Sequence, residues 1–347
     1  MEKPLSISEF LKLAKDHLVI DVRSPLEYQK GHLPGSINLP LLNDEHRKII
    51  GTLYKQEGRQ AAVLKGLELV GPLFADKAQQ LLKLSQDKKI GIYCWRGGMR
   101  TEITTWIARL VGVSVFTLKG GYKSFRNTMV ALNETPVRNG FIISGQTGSG
   151  KTEILKKLNK YGFKVIDLEA AACHKGSSFG GIGQPAQSQE MFENLIAFER
   201  YNVEHESQEF WLLEDESRLI GQKCIPKVLY ESMQKLPLIE LIVPIEERKS
   251  RLVIEYGSLD KTLLEEATLR LKKKLGDEQA RLAVSLLHEN KLDEWVSILL
   301  TYYDKTYNHS RNSKKKVSQQ IDYSWQNESE SFNNLLKLIK KLTHERS

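Results

Sequence analysis

Gly145-Gln146-Thr147-Gly148-Ser149-Gly150-Lys151-Thr152 is a complete Gly-x4-Gly-Lys-Thr segment, and its flanks narrow the fold more than any other part of the chain. The apolar run Phe141-Ile142-Ile143-Ser144 precedes it and Glu153-Ile154-Leu155-Lys156-Lys157-Leu158 follows it, so the segment joins a buried strand to a helix. Its glycines let successive backbone N–H groups turn inward around a phosphate. Lys151 brings positive charge to a terminal phosphate, and the Thr152 hydroxyl is suited to ligate Mg²⁺. A phosphate loop in this setting calls for a parallel α/β sheet whose ligand sits beyond the strand ends.

The rest of the C-terminal half agrees with that sheet. Lys164-Val165-Ile166 is a short strand ending in Asp167, and Phe210-Trp211-Leu212-Leu213 is another, ending in Glu214-Asp215-Glu216. The second resembles the acidic end of a Walker B strand. Either Glu214 or Asp215 is placed to hold metal-bound water, with Asp215 the preferred Mg²⁺ partner of Thr152; the plainer reading is that these carboxylates cap the next helix. Leu238 to Val243 is a further strand, followed by a helix carrying Arg248 and Arg251, which either reach a phosphate or lie on a solvated face. His174 to Gly183 is glycine-rich and polar, the composition of a loop that closes over a ligand, with Ser177, Phe179 and Gly180 as candidate contacts. The remainder reads as helical, with Leu282, Leu286 and Leu287 on one face and Trp295, Ile298 and Leu299 on another. Tyr302, Tyr303 and Tyr307 either present rings to unstacked bases or pack on that helical core. Lys272 to Lys274 and Lys314 to Lys316 are basic runs that can follow a phosphate backbone or simply face solvent.

The N-terminal half has its own reactive feature. Cys94 follows the apolar run Ile90-Gly91-Ile92-Tyr93 and opens Trp95-Arg96-Gly97-Gly98-Met99-Arg100, after which Thr101 to Leu110 reads as a helix. A thiol on a strand-to-helix turn faces free N–H groups and the positive end of a helix dipole, and two arginines add to that field. All of this favours the anionic, nucleophilic form of sulfur. Leu18 to Arg23 is a short apolar strand ending in polar residues, and Ser24-Pro25-Leu26-Glu27 carries the cap, first-turn proline and third-position glutamate of a helix start. Strand, helix and strand at this pace indicate a doubly wound α/β domain. Asp21 and Arg23 either brace the cysteine loop or take part in its reaction, the first being preferred, and His32 either holds a turn through the backbone or serves as a base, again with the first preferred.

With 347 residues the chain is expected to form two domains, at roughly 150 residues each. Pro136 and Val137-Arg138-Asn139-Gly140 mark the junction, giving domains at 1–135 and 136–347. At 40% hydrophobic residues the chain is not a disordered one, and its net charge of +8 suits a polyanionic partner such as nucleic acid. Cys94, Cys173 and Cys224 lie far apart without CxxC spacing, which points away from a disulfide framework or a zinc site and toward a reducing cytoplasm. No N-terminal apolar core or membrane-length apolar run is present, so the expectation is a soluble cytoplasmic protein with no membrane partner.

"DVRSPLEYQKGHLPGSINLP", followed about fifty residues later by "YCWRGGMR", resembles a rhodanese domain over roughly residues 5 to 130. The resemblance implies that Cys94 carries sulfur or selenium as a persulfide or perselenide, cradled by Arg96, Gly97, Gly98 and Arg100. Five residues separate Cys94 from Arg100, one more than in common sulfurtransferase loops; that ring is similar to the loop of rhodanese-related phosphatases, but it equally admits selenium or a phosphate-bearing selenium donor. The insertion from Leu41 to Lys77 is expected to lie over the loop mouth.

The ordered set "CWRGGMR", "GQTGSGKT", "HKGSSFGG" and "LLEDES" resembles the bacterial tRNA 2-selenouridine synthase family over nearly the full length, with Thr101 in place of the serine often seen after the loop. The resemblance implies replacement of sulfur by selenium at C2 of the wobble 2-thiouridine in the tRNA anticodon, with selenophosphate as donor, and S-geranylation of the same base from geranyl diphosphate. A selenophosphate-supplying enzyme is the implied protein partner. The rival reading is a P-loop kinase or ATPase switch fused to a rhodanese-like sulfurtransferase or phosphatase domain.

Overall fold

The computed structural model describes residues 3–86, 88–201, 210–314 and 317–344. The chain divides into two compact units, Met1–Leu132 with Glu193–Phe198, and Asn133–Phe192 with Glu199–Ser347.

In the first unit α1 (Ile7–Ala14) leads to β1 (Val19–Asp21), α2 (Pro25–Lys30) and β2 (Ile37–Asn38). The insertion then folds as α3 (Asp44–Gln56), α4 (Arg59–Val70) and the start of α5 (Phe74–Ser85), with α3 packed on α4. β3 (Ile90–Tyr93), α6 (Met99–Leu110), β4 (Val115–Thr117) and α7 (Gly121–Asn133) complete it. The four strands are all parallel in the order β2-β1-β3-β4, so the ends of β1 and β3 lie side by side and Cys94 leaves the middle of the sheet. Ser24 and Glu27 form the reciprocal cap that starts α2. Ile20, Ile90, Ile92, Ile107 and Val115 fill the core beneath the Cys94 turn.

The second unit begins with β5 (Gly140–Gly145), α8 (Lys151–Lys160), β6 (Lys164–Ile166) and α9 (Leu168–Ala172). Next come α10 (Gln189–Tyr201), whose middle residues Glu193–Phe198 count with the first unit, β7 (Trp211–Glu214), the antiparallel ribbon β8 (Leu219–Ile220) and β9 (Lys223–Cys224), and α11 (Lys227–Met233). β10 (Leu238–Ile242) is followed by α12 (Ile245–Gly257), α13 (Lys261–Arg270), α14 (Lys272–Leu275), α15 (Asp277–His288) and α16 (Leu292–Lys314), and the unit closes with β11 (Val317–Asp322) and α17 (Glu328–His344). The sheet is parallel throughout, in the order β11-β10-β5-β7-β6, which puts the phosphate-loop strand at its centre.

Two expectations need correction. The C-terminal part is not wholly helical, because β11 joins the sheet beside β10. As an edge strand it needs little apolar sequence, and Gln319 and Gln320 stand where a central strand would carry valine or isoleucine. Leu282 is exposed, whereas Leu286, Leu287, Trp295 and Leu299 are buried in a cluster formed by α12, α13, α15 and α16. Among the described residues no helix is long and apolar enough to cross a membrane.

Candidate functional sites

In the first unit the thiol of Cys94 is buried at the exit of β3, and its loop is held from outside by α7. The Tyr122 N–H donates to the Cys94 carbonyl at 2.8 Å and the Lys123 N–H to the Trp95 carbonyl at 2.9 Å. Gly121 makes this possible: its φ is +58°, and a Cβ there would lie 2.3 Å from the Cys94 carbonyl oxygen and 2.6 Å from the Gly97 nitrogen. A second helix N-terminus therefore meets the loop, beside that of α6. Sequence reasoning missed Gly121; the Gly120-Gly121 pair just after a strand was its signal.

The two loop arginines behave differently. Arg96 is exposed, whereas Arg100 donates to Glu27 at 2.5 and 3.3 Å. Burial pushes the Glu27 pKa up, but the hydrogen bonds and charge of Arg100 outweigh it and hold the carboxylate below its usual range. Behind the loop, Arg23 and Asp21 form a fully buried fork with contacts of 2.6–3.0 Å. Arg23 also donates to the Gly31 carbonyl and lies over the Tyr122 ring at 3.9 Å. His32 stacks on Tyr28 at 3.8 Å and its Nδ1 meets the Tyr28 carbonyl, and burial lowers its pKa; these are the features of a turn residue.

In the second unit the phosphate loop opens into a cavity of about 770 Å³. Gly148 and Gly150 have φ values of +83° and +79°; a Cβ on Gly150 would lie 2.3 Å from the Trp325 ring, and one on Gly148 would lie 2.8 Å from the Arg248 carbonyl. Trp325 donates its indole N–H to the Ser149 carbonyl at 3.1 Å, and Lys151 Nζ donates to the Gly145 carbonyl at 3.0 Å. Gln146 takes the Ser149 N–H on its carbonyl, tightening the turn. Trp325 lies just past β11, so the strand that sequence reasoning missed also supplies the ring that backs the loop.

The arginines of α12 separate here as well. Arg248 is buried, gripped by both carboxylate oxygens of Asp304 at 2.7 and 2.8 Å, and donates to the Thr147 carbonyl at 3.1 Å. It holds the loop from behind. Arg251 lines the cavity, with its guanidinium 3.7 Å above the Trp325 ring and bonded to Glu153 at 2.6 Å.

The Thr152 hydroxyl lies 2.9 Å from Glu169 and 3.0 Å from Glu214, and not against Asp215. Asp215 instead accepts from Ser144 at 2.7 Å, and Ser144 meets the Tyr307 hydroxyl at 2.9 Å. The side chains along β7 alternate, so Glu214 and Asp215 point to different sides and only the first meets Thr152. Glu169, Glu214 and Glu216 bring carboxylate oxygens within 4.8 Å of one another. Burial, then the neighbouring carboxylate, pushes Glu214 well above its usual range and Glu216 to about 7, and burial also raises Glu169. One oxygen of buried Glu214 has no hydrogen-bond partner. Three crowded carboxylates and an unpartnered buried oxygen beside a threonine hydroxyl suit a hard divalent cation with oxygen ligands. Glu169 and Glu216 were not singled out from the sequence. Glu216 was visible in the Glu214-Asp215-Glu216 run, whereas Glu169 is hidden in a helix start.

Asp167 caps α9, accepting from the Ala170 N–H at 2.9 Å. Ser177 lines the cavity, but Phe179 does not: it is 2% exposed and packs edge-on against Trp295 and tilted against Tyr256. Gly180 sits against the Lys175 backbone, and Lys175, Ser177 and Gly180 close the glycine-rich loop with short backbone bonds. That loop is thus anchored by an aromatic residue in the helical core. Tyr307 donates to Glu240 at 3.0 Å, so its hydroxyl belongs to a buried polar chain. Lys272 pairs with Asp277 at 3.6 Å, and the side chains of Lys314 to Lys316 lie outside the described residues.

Comparison with known proteins fits this arrangement. Residues 6–128 match the rhodanese-like domain model, and residues 138–337 match the tRNA 2-selenouridine synthase AAA domain model. A tRNA 2-selenouridine synthase of Shewanella woodyi is 34% identical over 89% of this chain and 93% of its own. One of Ectopseudomonas mendocina is 35% identical over 86% and 88%, respectively. A domain model covering more than half of the chain, and relatives that match both halves nearly end to end, establish that the chain belongs to the tRNA 2-selenouridine synthase family.

Proposed function

We propose that the chain replaces sulfur by selenium at C2 of a wobble 2-thiouridine in two steps, in a reducing cytoplasm. In the first, the thiocarbonyl sulfur attacks C1 of geranyl diphosphate, diphosphate leaves, and the base loses its N3 proton. In the second, the selenium of selenophosphate adds to C2 and geranyl thiolate departs; water then takes the phosphoryl group, leaving C2=Se and inorganic phosphate. Alkylation comes first because a bare thiocarbonyl would have to expel a strongly basic sulfur anion, whereas a thioether leaves as a thiolate.

The observation that carries this reading is the pairing, in one chain of this family, of a phosphate cradle with a buried thiol set on a strand-to-helix turn. The N–H groups of Gly148, Gly150, Lys151 and Thr152, with the Lys151 ammonium, suit the diphosphate of the donor, and Arg251 adds positive charge at the cavity wall. Thr152, Glu169, Glu214 and Glu216 would hold Mg²⁺, which when bound offsets the charge of the leaving diphosphate. No phosphoanhydride hydrolysis is needed, so the cradle serves as a grip. The Cys94 turn seats selenophosphate and presents its selenium to C2, with Arg96 exposed at the loop. The anticodon base is single-stranded and can be splayed out to reach a protein site.

The phosphatase alternative requires the arginine of the Cys-x5-Arg ring to face a bound phosphate. Here Arg100 is turned to Glu27, which favours the chalcogen reading. The test is to incubate the protein with 2-thiouridine tRNA, geranyl diphosphate, selenophosphate and Mg²⁺, and to identify the nucleosides by mass spectrometry. S-geranyl-2-thiouridine followed by 2-selenouridine is the expected sequence. ATP turnover indifferent to tRNA, with neither nucleoside formed, would replace this reading by a kinase or ATPase switch.

A further inference from the structure

Between α3 and α4 of the first unit lies a groove of about 480 Å³, within the size range of small-molecule sites, that no step above uses. Its floor is apolar: Leu41, Leu42 and Val70 are buried, and Ile50 and Ile103 pack on them. Val63, Tyr54 and Leu67 continue the lining outward, and Tyr54 and Leu67 are 59% and 46% exposed. Large apolar side chains left in water along one concave surface mark a binding face.

Two further features say what binds. The groove is continuous with the thiol's loop, because Met99 and Arg100 line it and are the first residues of α6, directly after Gly98. Its rim is also cationic, with Lys55 and Arg59 exposed there and Arg47 and Arg100 both drawn to Glu27. A hydrocarbon trough with a positive lip, ending at a chalcogen-handling turn, suits a prenyl chain attached to a polyanion. The geometry points to this groove as the seat of the geranyl chain of the S-alkylated wobble base during selenium addition, with Lys55 and Arg59 toward the tRNA backbone. The inference rests on the two-step reading, since only there does an alkylated base come to the Cys94 loop.

The test compares binding of S-geranyl- and S-methyl-2-thiouridine nucleosides to the full chain, alongside selenation of S-geranyl tRNA. The wild type should prefer the geranyl nucleoside by about 30-fold or more, because several additional carbons leave water. Leu67→Glu charges the exposed lip and Val63→Trp fills the trough. Each should reduce the preference to about 3-fold or less and raise the KM for S-geranyl tRNA about tenfold, with unchanged melting temperature and unchanged geranylation of thio-tRNA. If both variants fold and keep the full preference, the groove assignment is wrong while the two-step reading stands. If the wild type neither prefers the geranyl nucleoside nor selenates S-geranyl tRNA, the two-step reading fails and takes the groove with it. If light scattering shows that the variants dissociate an oligomer, the face belongs to a second copy of the chain and the inference is overturned.

Discussion

The two strand-to-helix turns of this molecule begin from the same local plan and end as different devices. At Cys94 the turn is closed: the thiol is buried, α7 lies directly on the loop backbone, and Arg100 is paired with the Glu27 carboxylate. At Lys151 the turn is open to a large cavity, and three carboxylates crowd its threonine. The difference follows from what each must hold. A chalcogen anion is a single soft charge that N–H donors alone can stabilise. A diphosphate carries more charge than one lysine offsets, so acidic residues become useful once they recruit a cation.

The strongest way to break the comparison is to remove each turn's defining group and ask whether the losses separate. Lys151→Ala should lower geranylation of thio-tRNA by about 10²–10³-fold while leaving selenation of S-geranyl tRNA intact. Cys94→Ser should do the reverse, abolishing selenium transfer and sparing geranylation. Nucleoside mass spectrometry on thio-tRNA and pre-geranylated tRNA reads both. If either variant lost both steps equally, the division between the turns would be wrong.

Gly121 tests the closed turn more finely. Alanine there would place a methyl group into the Cys94 carbonyl at a left-handed φ, so α7 must move away from the loop. The expected cost is about 1–3 kcal/mol of stability, seen as a lowered melting temperature, with a selective loss of selenium transfer. The open turn has its counterpart in Glu214. Mg²⁺ should raise the melting temperature of the wild type, by about 2.7 kcal/mol of stabilisation at a hundred times the dissociation constant. Glu214→Gln should remove most of that increment, whereas Asp215→Asn should keep it. Equal effects of the two would restore Asp215 as a partner of Thr152.

What could be read from the sequence was local. The phosphate loop, the Cys94 turn and the Ser24–Glu27 cap each lie within about eight consecutive residues whose chemistry is complete by itself. What could not be read depends on partners far along the chain. Trp325 reaches Gly150 from 175 positions away, on the exit of an edge strand too polar to announce itself. Glu169 joins Glu214 only because β6 and β7 are adjacent in the sheet. Phe179 sits in a glycine-rich loop that suggests a mobile lid, yet the helical cluster around Trp295 claims its ring. The Leu41–Lys77 insertion shows a groove only when α3 and α4 are paired.

The smallest effect sharpens the contrast between a carboxylate that pairs and one that crowds. Glu27 is held below its usual pKa of 4.5 because the Arg100 bonds outweigh its burial. A depressed folded-state pKa contributes stability that is fully present above 4.5 and is lost as the pH falls through the lower, folded value. Glu27→Gln removes the charge but keeps a hydrogen-bonding side chain, so at pH 7 it should destabilise the chain by about 1–2 kcal/mol, the size of a charge-assisted hydrogen bond. The gap between wild type and variant should narrow steadily in denaturant titrations from pH 6 down to pH 3. A gap that stayed constant over that range would show that Arg100 gains nothing from the ionised form of Glu27. Its guanidinium would then be free to turn into the Cys94 ring, and the closed turn would have to be counted as a phosphate binder too.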